Sequence, residues 1–340
     1  RADLGEIQLD EFAAVLHREG CQDRQHPQPE GAVGHHFCMG VSLISKQRNK
    51  DITGHGILPP AREPPTTPLA AESPSPHGDT ASREPDRRIT VIQEELFAPG
   101  QTKVQRYATL VVGQPGLWPL IRYEAVTTLC ASLPGAVGLF LRSKLYPWLL
   151  GRVGRNVVFG HNVVLRHPHK IRIGDDVVID DNCCLDAKGA DNRGITIGNG
   201  VFIGRNTILS CKNGDIEIDD RANIGFNCEI FSGGHVRLGK NTLVAAYTYL
   251  VGGDHLHDRT DVPVLDQGRV AKGIEVDDNV WLGAHVVIAD GARVGRDAII
   301  GAGAVVRGEI PPFQIAVGIP AKVIRDRRTG RDRPPASGAL

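Results

Sequence analysis

Two histidines, His255 and His257, stand in a long stretch rich in polar side chains, VGGDHLHDRTDVPVLDQGRVAKG at 251–273, among Asp254, Asp258 and Asp261. An imidazole titrates near neutrality, so one held beside a hydroxyl can take its proton as the oxygen attacks an electrophilic carbon. A neighbouring carboxylate can orient such a ring. The three aspartates are candidates for that task, and each is equally well read as a solvated loop carboxylate. An isolated loop histidine is usually without chemistry; what singles these two out is that their stretch is the one long departure from the regular repeat that begins at Gly151.

The other histidines form no comparable group. His17, His26, His35, His36, His55 and His77 are scattered through a polar region. His35, His36 and Cys38 come nearest to a metal set, but no second ligand pair follows at zinc-like spacing, so no metal is expected. His161, His167, His169 and His235 fall in regular or briefly interrupted segments and read as structural, and His285 reads as an outward residue near a groove. Cys21, Cys38, Cys130, Cys183, Cys184, Cys211 and Cys228 show neither CxxC nor a disulfide-like framework. Together with the absence of a leader-like start or a bilayer-length apolar run, this sets the expectation of a reducing, cytoplasmic setting. Lys plus Arg equals Asp plus Glu, 39 of each, so no net field argues for nucleic acid as a partner.

What must position these residues is a repeat. From Gly151 onward, apolar anchors recur in trios six residues apart: Val153, Phe159, Leu165; Ile173, Ile179, Leu185; Ile197, Ile203, Leu209; Ile218, Ile224, Ile230; Leu238, Val244, Leu250; Val276, Leu282, Ile288; Val294, Ile300, Val306. Glycine often follows the anchor, as at Gly154, Gly160, Gly198 and Gly239, and is expected to ease a turn. Each hexapeptide is then a short strand and a corner, and three of them close one triangular coil. About seven coils at roughly 4.8 Å would stack to about 30 Å, each inward anchor contributing about 1.5–3 kcal/mol of gross burial. Such coils cannot stand alone and are stable only as a stack.

Between trios the step lengthens, to 8 from Leu165 to Ile173, 12 from Leu185 to Ile197, 9 from Leu209 to Ile218 and 26 from Leu250 to Val276. All these insertions leave the prism between its third face and its first, and the longest carries His255. Loops gathered on one edge of a rigid scaffold are where a site belongs.

The repeat, the GGDH loop and the run VDDNVWLGAHVVIADGARVGRDAIIGAGAVVRGEIPPFQIAVGIPAKVIR resemble the hexapeptide-repeat acyltransferases, nearest in pattern to the galactoside, maltose and polysaccharide O-acetyltransferases. The resemblance covers about 153–325. It implies an all-β, left-handed parallel β-helix, usually a homotrimer with sites between subunits, although right-handed crossovers are the general rule. It also implies transfer of an acetyl group from acetyl-CoA to a hydroxyl of a sugar, glycan or other small acceptor, with His255 as general base and His257 as its rival. Residue by residue, Ala284 and Ala302 match the backbone contacts to the pantetheine arm, and Arg307, Lys322 and Arg325 match basic positions near the nucleotide. The earlier-coil Asn and Asp that hold a galactoside are not reproduced in IGFNCEIFSGGHV, where Asn227 and Ser232 are the candidate substitutes.

Organisation follows in four parts: 1–100, Pro-rich, expected to be disordered; 101–150, two helices broken at Leu133-Pro134-Gly135, either capping the β-helix or touching a membrane peripherally through Trp118, Tyr146 and Trp148; 151–325, the repeat; and 326–340, a basic flexible tail. Three other functions remain open. Acyl transfer from acyl carrier protein needs a longer groove and a basic docking face. A zinc carbonic anhydrase needs three converging histidines. A non-catalytic scaffold would bind no acyl-CoA.

Overall fold

The computed structural model describes residues 100–330; the expectations for the first hundred residues, Gly100 aside, and for the end of the basic tail fall outside it. From Arg152 the chain winds into a left-handed parallel solenoid in which each coil adds one strand to each of three sheets. The first face runs through eight strands, from Arg152–Val153 to Glu309–Ile310, and the third through seven, from Val164–Arg166 to Val305–Val306. The second begins at Val158–Phe159 and reaches Gln314–Val317, against which Lys322–Asp326 folds back antiparallel as the ninth strand.

Register explains the sequence period. On the first face Ile173 pairs with Ile197, Ile197 with Ile218, Ile218 with Leu238, Leu238 with Val276 and Val276 with Val294, so anchors stack on anchors. All are buried, as are their counterparts on the other faces. The stack exceeds the seven anchor trios by a partial eighth coil in which Ile310 and Ala316 are buried. The step from Val306 to Ile310 is four residues instead of six, which hides this coil from a strict six-residue count.

The glycines after the anchors do not serve the turn in the way expected. Gly154, Gly160, Gly198 and Gly239 lie outside the left-handed region. Their purpose is room: a Cβ on Gly154 would come within 2.4 Å of the Gly174 carbonyl, and one on Gly239 within 2.6 Å of the Asp277–Asp278 backbone. The left-handed residue stands two places later and is usually Asn or Asp, as at Asn156, Asn162, Asp176, Asn182, Asn206, Asn227 and Asn279, types that tolerate this conformation. At two rungs of the corner between second and third faces Tyr247 and His285 take that position, and their rings stack at 4.9 Å with planes 6° apart.

Three short helices precede the coils: α1 (Lys103–Tyr107), followed by a π turn at Ala108–Val112, then α2 (Leu117–Cys130) and α3 (Gly135–Leu145). Tyr123, Val126, Cys130 and Tyr146 are buried in the same core as the first coil. The Tyr123 hydroxyl donates to the Leu165 carbonyl at 2.8 Å and that of Tyr146 to Val163 at 3.2 Å. Arg142, 2% exposed, donates to the carbonyls of Phe159, Cys130 and Leu133 and so ties both helices to the coil. The outer side leaves Leu117, Trp118, Val137, Phe140 and Trp148 exposed. No helix among the described residues is long and apolar enough to cross a membrane.

Candidate active site

The edge between third and first faces opens at Val251. Here two pairs of small residues let the loop leave close to the coil beneath: the Gly233 N–H donates to the Gly252 carbonyl at 2.6 Å, and a Cβ on Gly252 would meet Val236 and the Phe231 carbonyl at 2.7 and 2.9 Å. The chain then forms a hairpin in which Asp254–His255 pairs antiparallel with Arg269–Val270, placing His255 opposite Arg269. Gln267 braces the loop from inside, accepting from the Arg259 N–H and donating to the Arg259 and Val262 carbonyls. The loop returns through Lys272 and Gly273, whose N–H groups both donate to the Asp290 carboxylate.

Two cavities flank this hairpin. The larger, about 460 Å³, is lined by Val251, His255, Val287, Ala289, Lys272 and Arg307 among others. The smaller, about 160 Å³, is lined by Phe231, Tyr249, Val251, Asp254, His255 and Arg269 with adjoining glycines. His255 therefore borders both. Its Nδ1 is buried and has no hydrogen-bond partner among the described residues.

None of the three aspartates makes a hydrogen bond to the His255 ring. Asp254 accepts from the backbone N–H of His255 at 2.8 Å. Asp261 is engaged by the Arg259 guanidinium, which holds its carboxyl below the usual range. Asp258 only lines the larger cavity. His257 is exposed, and its Nδ1 lies 3.0 Å from the His255 carbonyl, a contact that raises its pKa above the ordinary histidine value.

The other sequence-predicted positions divide by edge. Arg307 joins His255 at the larger cavity. Ala284 and Ala302 adjoin the opposite corner of the third face, where the Ala284 carbonyl accepts from Gly303 at 2.8 Å. Asn227 lies on that same far edge and accepts from Asn206 at 3.0 Å within the corner stack. Ser232 is fully buried, its hydroxyl donating to the Asp215 carbonyl at 2.7 Å, so it faces neither cavity. Lys322 and Arg325 belong to the antiparallel C-terminal strand on the second face. Sequence reasoning missed Phe231, Tyr249, Arg269 and Lys272 at the cavities. Phe231 carried a usable signal, since it occupies the same place after its anchor as Val251, Ala289 and Arg307.

The histidines read as structural have structural partners. The His161 ring meets the Ser132 carbonyl at 3.0 Å, that of His167 meets Thr109 at 2.9 Å, and His235 sits between Glu217 and Glu275. Cys130, Cys183, Cys184, Cys211 and Cys228 are all unpaired. Among the described residues no cluster of three or more His, Cys, Asp or Glu side chains is arranged to hold a metal ion.

Residues 273–308 match the bacterial transferase hexapeptide family (six repeats), and residues 152–187 match the hexapeptide repeat of succinyl-transferase. The chain is 31% identical over 189 residues to a Mycobacterium tuberculosis protein described as a probable acetyltransferase, covering 55% of this chain and 61% of that protein. It is 37% identical over 103 residues to the galactoside O-acetyltransferase of Escherichia coli, covering 30% of this chain and 49% of the relative. The corresponding Lactococcus lactis enzyme is 31% identical over 150 residues, with 43% and 61% covered. The chain thus spans about half to three-fifths of the length of these curated relatives. Among solved structures, a galactoside acetyltransferase in complex with coenzyme A is similar at 24% identity and a TM-score of 0.35, over 61% of this chain and 80% of that one. An N-acyltransferase mutant from Bacillus cereus, in complex with dTDP and coenzyme A, is similar at 23% identity and a TM-score of 0.41, over 58% and 91%.

Proposed function

Starting from a hexapeptide-repeat, left-handed β-helix chain related to the galactoside O-acetyltransferases, we propose that it transfers an acetyl group from acetyl-CoA to a hydroxyl of a sugar or glycan, with His255 as general base. The observation that carries this reading is that one imidazole borders two cavities, the larger of which also has an arginine, Arg307, in its lining. An acceptor and a donor in separate cavities would meet at that ring.

In this scheme the acceptor lies in the smaller cavity against Phe231 and Tyr249, and its hydroxyl gives a proton to His255 as the oxygen bonds the thioester carbonyl carbon. A backbone N–H of the rigid coil donates to the developing oxyanion. The carbon–sulfur bond then breaks, and the imidazolium returns the proton to the departing sulfur, leaving an acetyl ester and a free thiol. Val251, Val287 and Ala289 supply an apolar wall for the donor arm, and Arg307 a cation for its phosphates. Lys322 and Arg325, on the second face, are assigned to those phosphates from a neighbouring copy.

Ala284 and Ala302 lie across the third face from His255, so within one chain they cannot line the same groove. A homotrimer in which the far edge of one copy closes over the His255 edge of the next would reunite them. That assembly is part of the proposal.

Replacing His255 with Ala should lower turnover by about 10²–10⁴-fold while acetyl-CoA still binds, the usual size of a general-base contribution. His257→Ala should change turnover by less than about tenfold. Wild-type turnover in the His255 variant, followed by release of the CoA thiol, would remove His255 from this role.

A further inference from the structure

The outward position after each third-face anchor forms a column: Arg166 pairs with Asp186, Asp186 with Ser210, Ser210 with Phe231 and Phe231 with Val251. The larger cavity takes Val251, Ala289 and Arg307 from the C-terminal part of this column, and the smaller takes Val251 and Phe231. Beyond Phe231, away from Arg307, cations accumulate. Lys188 and Lys212 each follow the column by two residues, on successive rungs, and Arg269 adds a third cation from the hairpin.

Counter-charge is short there. Asp186 is shared between Lys188 at 3.6 Å and Arg166 at 3.7 Å, and both Asp186 and Lys188 are nearly buried. The Lys212 ammonium lies 5.9 Å over the Phe231 ring. Neither it nor the Arg269 guanidinium has a hydrogen bond or ion pair among the described residues. Burial first, and then the charges of Lys188, Arg269 and Arg166, hold the Lys212 pKa below the usual lysine value, with Asp186 opposing. Four cations thus face Asp186, with Asp254 at the smaller cavity the one other carboxylate beside them, and that excess of positive charge next to a cavity is costly unless an anion comes to it.

We propose that this strip is the acceptor's anion subsite: the hydroxyl placed at His255 belongs to a glycan carrying a carboxylate or phosphate two to three rungs away, about 10–15 Å, held by Lys212, Lys188 and Arg269. This rests on the transferase reading, and it assigns the strip to the acceptor because Arg307 and the larger cavity lie on the other side of Val251.

The test uses the full chain and three probes: trigalacturonate for the carboxylate, maltotriose phosphorylated at O6 of one terminal residue for the phosphate, and maltotriose as a neutral control. Equilibrium binding is measured by calorimetry without donor, and transfer is followed as thiol release. At least one anionic probe should bind tenfold or more tightly than maltotriose, and its binding should weaken several-fold as salt rises from about 50 to 500 mM. Which anion prevails identifies the source. Lys212→Gln should lose at least fivefold of that binding, Lys212→Arg should keep most of it, and neither should change the affinity for acetyl-CoA. Because salt dependence and the neutral control need no variant, a misfolded mutant would not rescue the idea. Equal binding of neutral and anionic probes overturns the anion subsite, and a Lys212→Gln defect confined to acetyl-CoA reassigns the strip to the donor and overturns it too. Anion binding without thiol release would leave the subsite standing and remove the transferase reading instead.

Discussion

At the scale of single residues, the glycines give a paired expectation. A Cβ on Gly239 meets backbone at 2.6 Å on the next coil, and backbone cannot step aside without disturbing the register. Gly239→Ala should therefore cost about 1–3 kcal/mol, as overpacking does. Gly308 has nothing within 4 Å and lies outside the left-handed region, so Gly308→Ala should be neutral or stabilising by up to about 1 kcal/mol. Chemical denaturation of both variants checks the contrast. His167 supplies a pH test. Burial pushes its pKa down to about 4 despite the bond to the Thr109 carbonyl. In the unfolded chain it would titrate near 6.5, so between those values the unfolded state binds the extra proton. Its contribution to stability is complete above about pH 6.5 and is lost as pH falls toward 4. Melting temperature should fall across that window, and it should fall less in His167→Asn.

At the scale of elements, the helices and coils are held by different forces. Arg142 sends three hydrogen bonds to carbonyls from α2, the turn after it and the first coil, and no acidic side chain pairs with it among the described residues. Arg142→Met keeps the stem's bulk but leaves those carbonyls without donors. It should cost about 3 kcal/mol or more and loosen the helices ahead of the coils, visible as hydrogen exchange in 117–145 rising first. The first face instead carries an alternating charge column, with Glu217, Arg237, Glu275, Arg293 and Glu309 on adjacent rungs. Arg237→Glu would put three like charges in line and should lower the melting temperature, by less at high salt.

The element scale is also where the sequence was most readable. Val, Ile and Leu at six-residue steps specify the strands because each must face inward, and Leu133-Pro134-Gly135 marks the break between α2 and α3. The small helix α1 has its own signal, the reciprocal cap between Thr102 and Gln105, which periodicity does not detect. The site was legible only in part. His255 and Arg307 meet because both follow the third face, a relation visible in spacing. Arg269 reaches its place through a hairpin that pairs residues across an irregular loop, and nothing periodic encodes that. Ser232 satisfies the Asp215 carbonyl and Asn227 holds a left-handed corner in an asparagine stack, roles that composition does not distinguish from ligand binding.

For the whole molecule, the proposed homotrimer has a direct consequence. A chain with His255→Ala and a chain with Ala302→Trp should each be inactive alone, one lacking the base and the other with an obstructed far edge. Co-expressed, they should regain activity, because some interfaces would then combine two intact edges; sedimentation of the mixture would report its size. The strand pairing itself is indifferent to the long loop. Arg237 stands on Glu275 in the same register that places Glu217 under Arg237, although one connection is a few residues and the other is the whole 251–273 loop. The strand ladder and the long loop are thus written in separable parts of the chain. Excising 256–267 and joining the hairpin with a short turn should leave the melting transition nearly unmoved, while a foreign loop of another length could be installed at the same place without retuning the column.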